Sequence, residues 1–184
     1  EKAPDWACDT APVFQLSSHD FPVNSVPAPS PALAAEVDSF KEVLLVGGLG
    51  AALDFLNTRT DYRFTFIYKS EPPFARRVLV HDREFLYISS RDSVPVTQTF
   101  FEFMLSEPAF ATADGVLDER SCRHPGRTHF RGFCGIQLFY ADGRHYGWLA
   151  HASPGALAVP EHETGFLQLA AVPLMQVLET LALP

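Results

Sequence analysis

"FCGIQLFYADGRHYGWLAHAS", residues 133–153, decides the fold. Two arms rich in aromatic and aliphatic residues flank the polar break Ala141–Arg144. Asp142-Gly143 supplies the positive φ that a tight turn needs. The stretch reads as a β-hairpin, and the elements on either side have to supply a sheet for it.

Upstream, "YRFTFIYKS" (62–70) alternates aromatic and β-branched residues with polar ones, the two-residue period of a strand. "RRVLVHD" (76–82) and "EFLYISS" (84–90) read as two more strands. "SVPVTQTFFEFMLS" (93–106) reads as a short helix capped by Ser93 or Thr97, and Phe110–Asp114 as a brief strand. Residues 118–132, "DERSCRHPGRTHFRG", are polar and broken by Pro125 and Gly126, which makes them a loop.

Two helices frame these strands. Leu33, Val37, Phe40, Leu44, Gly47, Ala51 and Phe55 recur every three or four residues, the stripe of one continuous amphipathic helix. Beyond the hairpin, Pro160 opens a final helix with Glu161 and Glu163 in its first turn. Phe166, Leu167, Ala170, Leu174, Leu178 and Leu181 form its apolar face, and Pro173 is expected to kink it.

Inside the first helix, "VLLVGGLGAAL" (43–53) imitates a strand entering a glycine-rich phosphate loop. The third position of G-x-G-x-x-G would be Leu53, where glycine or alanine is needed for close packing. The helical stripe also begins well upstream, at Leu33. The glycines are therefore read as a close-packing patch, and the nucleotide fingerprint is set aside.

Length and composition bound the rest. With 184 residues and 47% hydrophobic content, the chain can build one sizeable core. Residues 1–31 hold Pro4, Pro12, Pro22, Pro27, Pro29 and Pro31 and read as an extended strap or linker, leaving 32–184 as the folded domain. A net charge of -8 gives no electrostatic reason to bind nucleic acid or an anionic membrane. No apolar run is long enough for a membrane helix. Three cysteines, Cys8, Cys122 and Cys134, are few and odd in number, which argues against a disulfide framework and for a reducing, cytoplasmic setting.

The elements sum to an α+β fold. It is a central antiparallel sheet of about five or six strands, with terminal helices on one face and loops with a short helix on the other. At this level the hairpin "FCGIQLFYADGRHYGWLAHAS" resembles that of the GAF domains, a family of sensory and regulatory modules. "EPAFATADGVLDERSCRHPG" (107–126) is similar to the family's short strand, acidic residue and "HP" before that hairpin, and "LNTRTDYRFTFIYKS" (56–70) to its helix end and first strand. The likeness spans roughly residues 33 to 182. It departs at Gln137, where the family often has proline, and the first 30 residues have no counterpart in it.

The resemblance implies a pocket between the sheet and the irregular segment of residues 98 to 134. In the family such pockets hold cyclic nucleotides, tetrapyrroles, small metabolites or metal-linked groups, or stay empty while the domain dimerises, so the fold leaves the ligand and any cofactor unknown. Tyr68, Phe100, Phe103, Asp114, His124, Phe130, Arg131, Cys134 and His151 are the candidate ligand-binding residues. Phe110 and Phe133 are further aromatic wall candidates that serve equally as ordinary core.

No residue set stands out as catalytic. Cys122, His124, His129 and Cys134 are metal-capable, but C-x-H-x4-H-x4-C matches no common zinc spacing, and no metal site is assigned. Some tetrapyrrole-binding relatives attach their chromophore through Cys-His; here Arg123 separates Cys122 from His124. Another branch reduces free methionine sulfoxide with cysteines, and Arg131 near Cys134 or Arg123 beside Cys122 would lower a thiol pKa, although that branch's cysteine pattern is absent. Arg120, Arg123, Arg127 and Arg131 suit an anionic ligand, or pair with Asp114, Asp118 and Glu119.

The functional expectation is a sensory module that binds an unidentified small molecule and signals through its terminal helices as a homodimer, to an effector domain or a protein partner. The alternatives are a protein-interaction or dimerisation module without a ligand, and a thiol-dependent enzyme similar to a methionine sulfoxide reductase.

Overall fold

The computed structural model describes residues 30–84 and 93–181. The proline-rich stretch read as a strap therefore lies outside the described residues except for Ser30 and Pro31. These two open the first helix, α1 (Pro31–Thr58): Ser30 Oγ accepts from Leu33 N–H at 3.3 Å, and Pro31 stands in the first turn, where no donor is needed. The apolar stripe buries Val37, Phe40 and Leu44, but in the second half of the helix the buried face is Ala52, Leu53 and Leu56, with the expected Ala51 and Phe55 only half-buried.

Helix α1 is not the continuous helix the stripe implies. Gly48 sits at φ 71, ψ -170 and divides it into two arms. That conformation is open essentially to glycine alone. A Cβ at Gly48 would meet nothing within 4 Å, whereas one at Gly47 would lie 2.5 Å from Ala51 Cβ. Close packing explains Gly47, and backbone geometry explains Gly48. Helix on both sides of the kink leaves no strand to feed a phosphate loop.

Six strands follow: β1 (Phe64–Glu71), β2 (Phe74–Asp82), β3 (Ser93–Pro95), β4 (Ala109–Thr112), β5 (Gly132–Phe139) and β6 (His145–Ser153). All pair antiparallel in the order β3-β2-β1-β6-β5-β4. The hairpin β5–β6 forms where the sequence places it, with Gly143 at φ 84 in its turn. The strand expected at 84–90 lies outside the described residues, apart from Glu84.

Residues 93–106 depart from the expected short helix. Ser93–Pro95 forms an edge strand on β2, and Val96–Gln98 and Phe100–Leu105 are two 3-10 turns separated by an extended Thr99 at φ -127, ψ 158. Neither Ser93 nor Thr97 caps them. Burial of Phe100, Phe101 and Met104 sets this segment's path, and the tight turns put all three against the sheet.

The last helix, α2 (Glu163–Thr180), starts three residues beyond Pro160, after a left-handed His162 at φ 69. Glu163 alone stands in its first turn, and Pro173 lies within the helix. Phe166, Leu167, Ala170, Leu174 and Leu178 are buried as the pattern expects, while Leu181 is exposed.

Side chains alternate across the sheet, which gives two cores. Ile67, Ile136, Leu138 and Leu149 face α1 and α2, where they pack with Phe40, Leu53, Phe166 and Leu174. Phe66, Phe133, Trp148 and Ala150 face the irregular layer, against Phe100, Phe101 and Met104. No helix among the described residues is long and apolar enough to cross a membrane.

Candidate functional site

The irregular layer does not fill its face of the sheet. It leaves a cavity of about 260 Å³, walled by Phe66 and Tyr68 of β1, Phe133 of β5, Phe100 and Phe101 of the 3-10 segment, and Phe130 of the loop before β5. Phe66 and Tyr68 stand two residues apart on one strand, so they share a face. Their rings meet edge to face at 5.4 Å, and Phe101 lies 5.2 Å from Tyr68. Phe101 also stacks on Trp148 at 4.7 Å and 8°, which fixes that wall to β6.

Among the described lining residues, Tyr68, Gln98, Thr99 and His129 carry polar side-chain groups, and Gly126 completes the wall. Thr99 Oγ1 already donates to Val96 O at 2.9 Å, so it can only accept from a ligand. Gly126 is held close to the wall: a Cβ there would lie 2.9 Å from His124 Nδ1 and 3.1 Å from Phe100 Cδ1.

Of the residues singled out in the sequence as ligand-binding, Tyr68, Phe100 and Phe130 line this cavity, as do the wall candidate Phe133 and His129. Phe103 stands behind it, stacked on Phe110 at 4.4 Å. His124 also serves the wall from behind. Its Nδ1 accepts from Gly126 N–H at 3.0 Å, so Nε2 carries the proton that reaches Glu102 at 2.9 Å. The imidazole thereby ties the Pro125–Thr128 turn to the 3-10 segment.

Asp114 and Arg131 find each other. Arg131 forks onto the carboxylate, with Nε at 2.9 Å from Oδ1 and a second guanidinium nitrogen on Oδ2, while Val116 N–H also bonds Oδ1 at 3.0 Å. Arg131's hydrogen bond is the chief reason that the Asp114 carboxyl is held below the usual range. Arg120 forks in the same way onto Asp118. These two arginines of the basic loop are structural clamps, and no lysine or arginine among the described residues lines the cavity.

Cys134 and His151 are partners across β5 and β6, on the opposite face, beneath the helices. Cys134 is fully buried 3.4 Å from Thr164 Oγ1, and burial pushes its thiol up to about 11. The thiol is therefore protonated at neutral pH, opposite to the activation expected from Arg131, which is occupied at Asp114. Cys122 is disulfide-bonded, and since Cys134 is free the other half lies outside the described residues. Cys122, His124, His129 and Cys134 do not converge, and among the described residues no group of three or more metal-capable side chains does.

His151 anchors a buried polar network that the sequence reading missed. Asn57 Nδ2 donates to Thr65 Oγ1 at 2.9 Å, and Thr65 Oγ1 lies 2.7 Å from His151 Nδ1. His151 Nε2 lies 3.2 Å from Glu163 Oε1, and Glu163 Oε2 lies 3.3 Å from Arg59. The Arg59 guanidinium stacks 3.5 Å over the Phe166 ring and also binds Glu36. The end of α1, strands β1 and β6, and the start of α2 are thus joined by one chain of polar contacts. Tyr62 stacks on His151 at 5.7 Å, its phenol pKa raised by burial.

A signal for part of the missed wall existed: Phe66 follows from its two-residue spacing to Tyr68. Phe101 carried no such signal, because its direction depends on the 3-10 turns. A second, more open groove of about 420 Å³ runs between α2 and the β5 end, past Ile136, Phe139 and Met175.

No known family model and no curated protein matches the chain in sequence. Solved structures do match in shape. The GAF domain of an Acinetobacter phosphoenolpyruvate-protein phosphotransferase superposes with a TM-score of 0.63 at 13% identity, covering 83% of this chain and 95% of that one. A free methionine-R-sulfoxide reductase from Neisseria meningitidis, solved with its substrate, gives 0.60 at 14% identity over 91% and 95% of the two chains. The chromophore-binding domain of a bacteriophytochrome from R. palustris gives 0.60 at 10% identity over 82% and 61%. Three proteins of different activity thus share one architecture with this chain, which has the GAF-like fold that its hairpin resembles.

Proposed function

We propose that this protein is a sensory or regulatory module that takes a small molecule into its aromatic cavity and passes occupancy to its terminal helices. The observation that carries the reading is the 260 Å³ cavity on one face of a sheet whose other face bears α1 and α2. Strands β1 and β6 belong to both faces. On β6, Trp148 backs the cavity wall and His151, three residues on, reaches Glu163 of α2. A ligand that shifts Phe101 and Trp148 therefore bears on the strand that holds α2. It drives a signal only through different affinity for two helix arrangements.

The output surface is assigned to the helices, as a homodimer contact or a contact with an effector. Leu45 and Val46 of α1 and Val172 of α2 are exposed at 79%, 86% and 64%. The compartment is read from Cys122. A disulfide there suits oxidising surroundings and a free thiol suits the cytoplasm, so the state of Cys122 decides between the two. Alkylation of the denatured, unreduced protein is expected to label Cys134 and leave Cys122 unmodified; labelling of both returns the reading to the cytoplasm.

Hydrogen exchange with and without a bound small molecule tests the main reading. Altered protection in α2 and the second arm of α1 is the expected result. Changes confined to the cavity face, or native mass spectra that never show a small molecule on the protein, leave an interaction module instead.

A further inference from the structure

The cavity's lining also speaks to what enters it, and the following rests on the ligand-binding reading above. Size comes first. An apolar cavity of about 150 Å³ accommodates benzene, and this one, at about 260 Å³, is larger by roughly the volume of a second fused ring or a small substituent. A four-ring tetrapyrrole exceeds it.

Charge comes second. Among the described residues, Asp, Glu, Lys and Arg are absent from the lining, whose one basic side chain is His129, and Arg120 and Arg131 of the adjacent loop are already forked onto Asp118 and Asp114. A phosphate or carboxylate drawn into the rings would lose its hydration and meet no lysine or arginine among the described lining residues, only His129, which disfavours burial. Shape comes third. Phe66, Tyr68, Phe101 and Phe130 meet one another at 5.2 to 6.1 Å, spacing that offers ring faces and edges to a flat guest. Thr99, with its proton committed to Val96 O, stands beside Gln98 and His129 in the lining as an acceptor for a guest carrying an N–H or O–H.

We propose that the cavity binds an uncharged, planar aromatic molecule of one or two rings that carries a hydrogen-bond donor, of the chemical type of indole or phenol. Isothermal titration of the full chain with indole, phenol, benzoate, indole-3-acetate and 3′,5′-cyclic AMP tests it, alongside the cavity-filling variant Val94→Trp, with circular dichroism to verify its fold.

Indole or phenol is expected to bind, with the carboxylates about a hundredfold weaker. Val94→Trp is expected to weaken the neutral probes about tenfold or more. Equal binding of benzoate and phenol overturns the neutrality argument. Binding of cyclic AMP alone, lost in Val94→Trp, overturns the proposed class and keeps the site as a ligand pocket. Failure of every probe, with Val94→Trp more heat-stable than the parent, overturns the class and the ligand-binding reading together. Phe130→Leu, which trims the wall without filling it, gives a second check should Val94→Trp misfold: retained phenol binding with altered affinity supports the site, and unchanged affinity for every probe that binds removes it.

Discussion

The two faces of the sheet are built from alternate residues of the same strands, yet they solve opposite problems. The helix face is closed. Phe40, Leu53, Phe166 and Leu174 are 0 to 1% exposed, and its buried Asn57, Thr65, His151 and Glu163 are joined in one polar chain that ends at Arg59. The other face is covered by short 3-10 turns and a loop, which cannot tile the surface as two helices do, and a cavity remains between aromatic rings. Stability concentrates where regular helices lie on the sheet, and room for a guest is left where irregular backbone lies on it.

The largest expected effect breaks that contrast directly. Phe166→Ala removes a fully buried ring and the platform under Arg59, and is expected to cost about 4 kcal/mol in urea unfolding. Phe130→Ala, on the half-buried cavity wall, is expected to cost about 1 kcal/mol or less, because its ring already borders empty space. Equal losses would erase the distinction between the faces.

Next comes the polar chain. Glu163→Ala leaves His151 and Arg59 without their shared carboxylate in a buried setting and is expected to cost about 3 kcal/mol. A loss no greater than that of an ordinary surface substitution would show the network to be dispensable for stability.

Gly48→Ala is expected to cost about 2 kcal/mol, the strain of a Cβ at φ 71, ψ -170. The loss should appear equally in Gly48→Ser, because no neighbour is being struck. A tolerated alanine would mean that α1 can straighten into the helix its sequence pattern describes.

The smallest effect is pH-dependent and belongs to the irregular face. The Asp114 carboxyl is held below its ordinary range by Arg131, so its contribution is fully present above the usual carboxylate pKa of about 4 and fades as pH falls through the lower folded value. The stability gap between the parent and Asp114→Asn is expected to shrink under acid, and a gap that widens there would reverse the assignment.

Much of the fold was legible because it rests on periodicity. The hairpin 133–153, the strand beginning near Phe64 and the buried face of α2 all follow from local alternation or a helical stripe. The misreadings fall where local signals conflict. Residues 93–106 contain capping residues and an apolar run, and the competing demand to seat Phe100 and Phe101 against the sheet produced 3-10 turns instead. At Gly48 the stripe continues on both sides of the glycine, so nothing in the spacing exposes a change in φ.

The candidate site was legible in its chemistry more than in its grouping. Tyr68, Phe100 and Phe130 stand together at the cavity, while Cys134 and His151, chosen from the same stretch as Phe133, fall on the other face. One residue of offset on a strand turns a side chain through the sheet, and sequence distance is blind to that.

By itself, the sequence determined the strand near Phe64, the hairpin 133–153 and the buried face of α2, since these follow from patterns a few residues long. Only the tertiary structure decided that six strands close in the order β3-β2-β1-β6-β5-β4, that Asp114 answers Arg131, that Glu163 meets His151, and that six rings leave a space between them. Those outcomes depend on contacts between residues far apart along the chain, where packing and the pairing of buried polar groups determine the geometry.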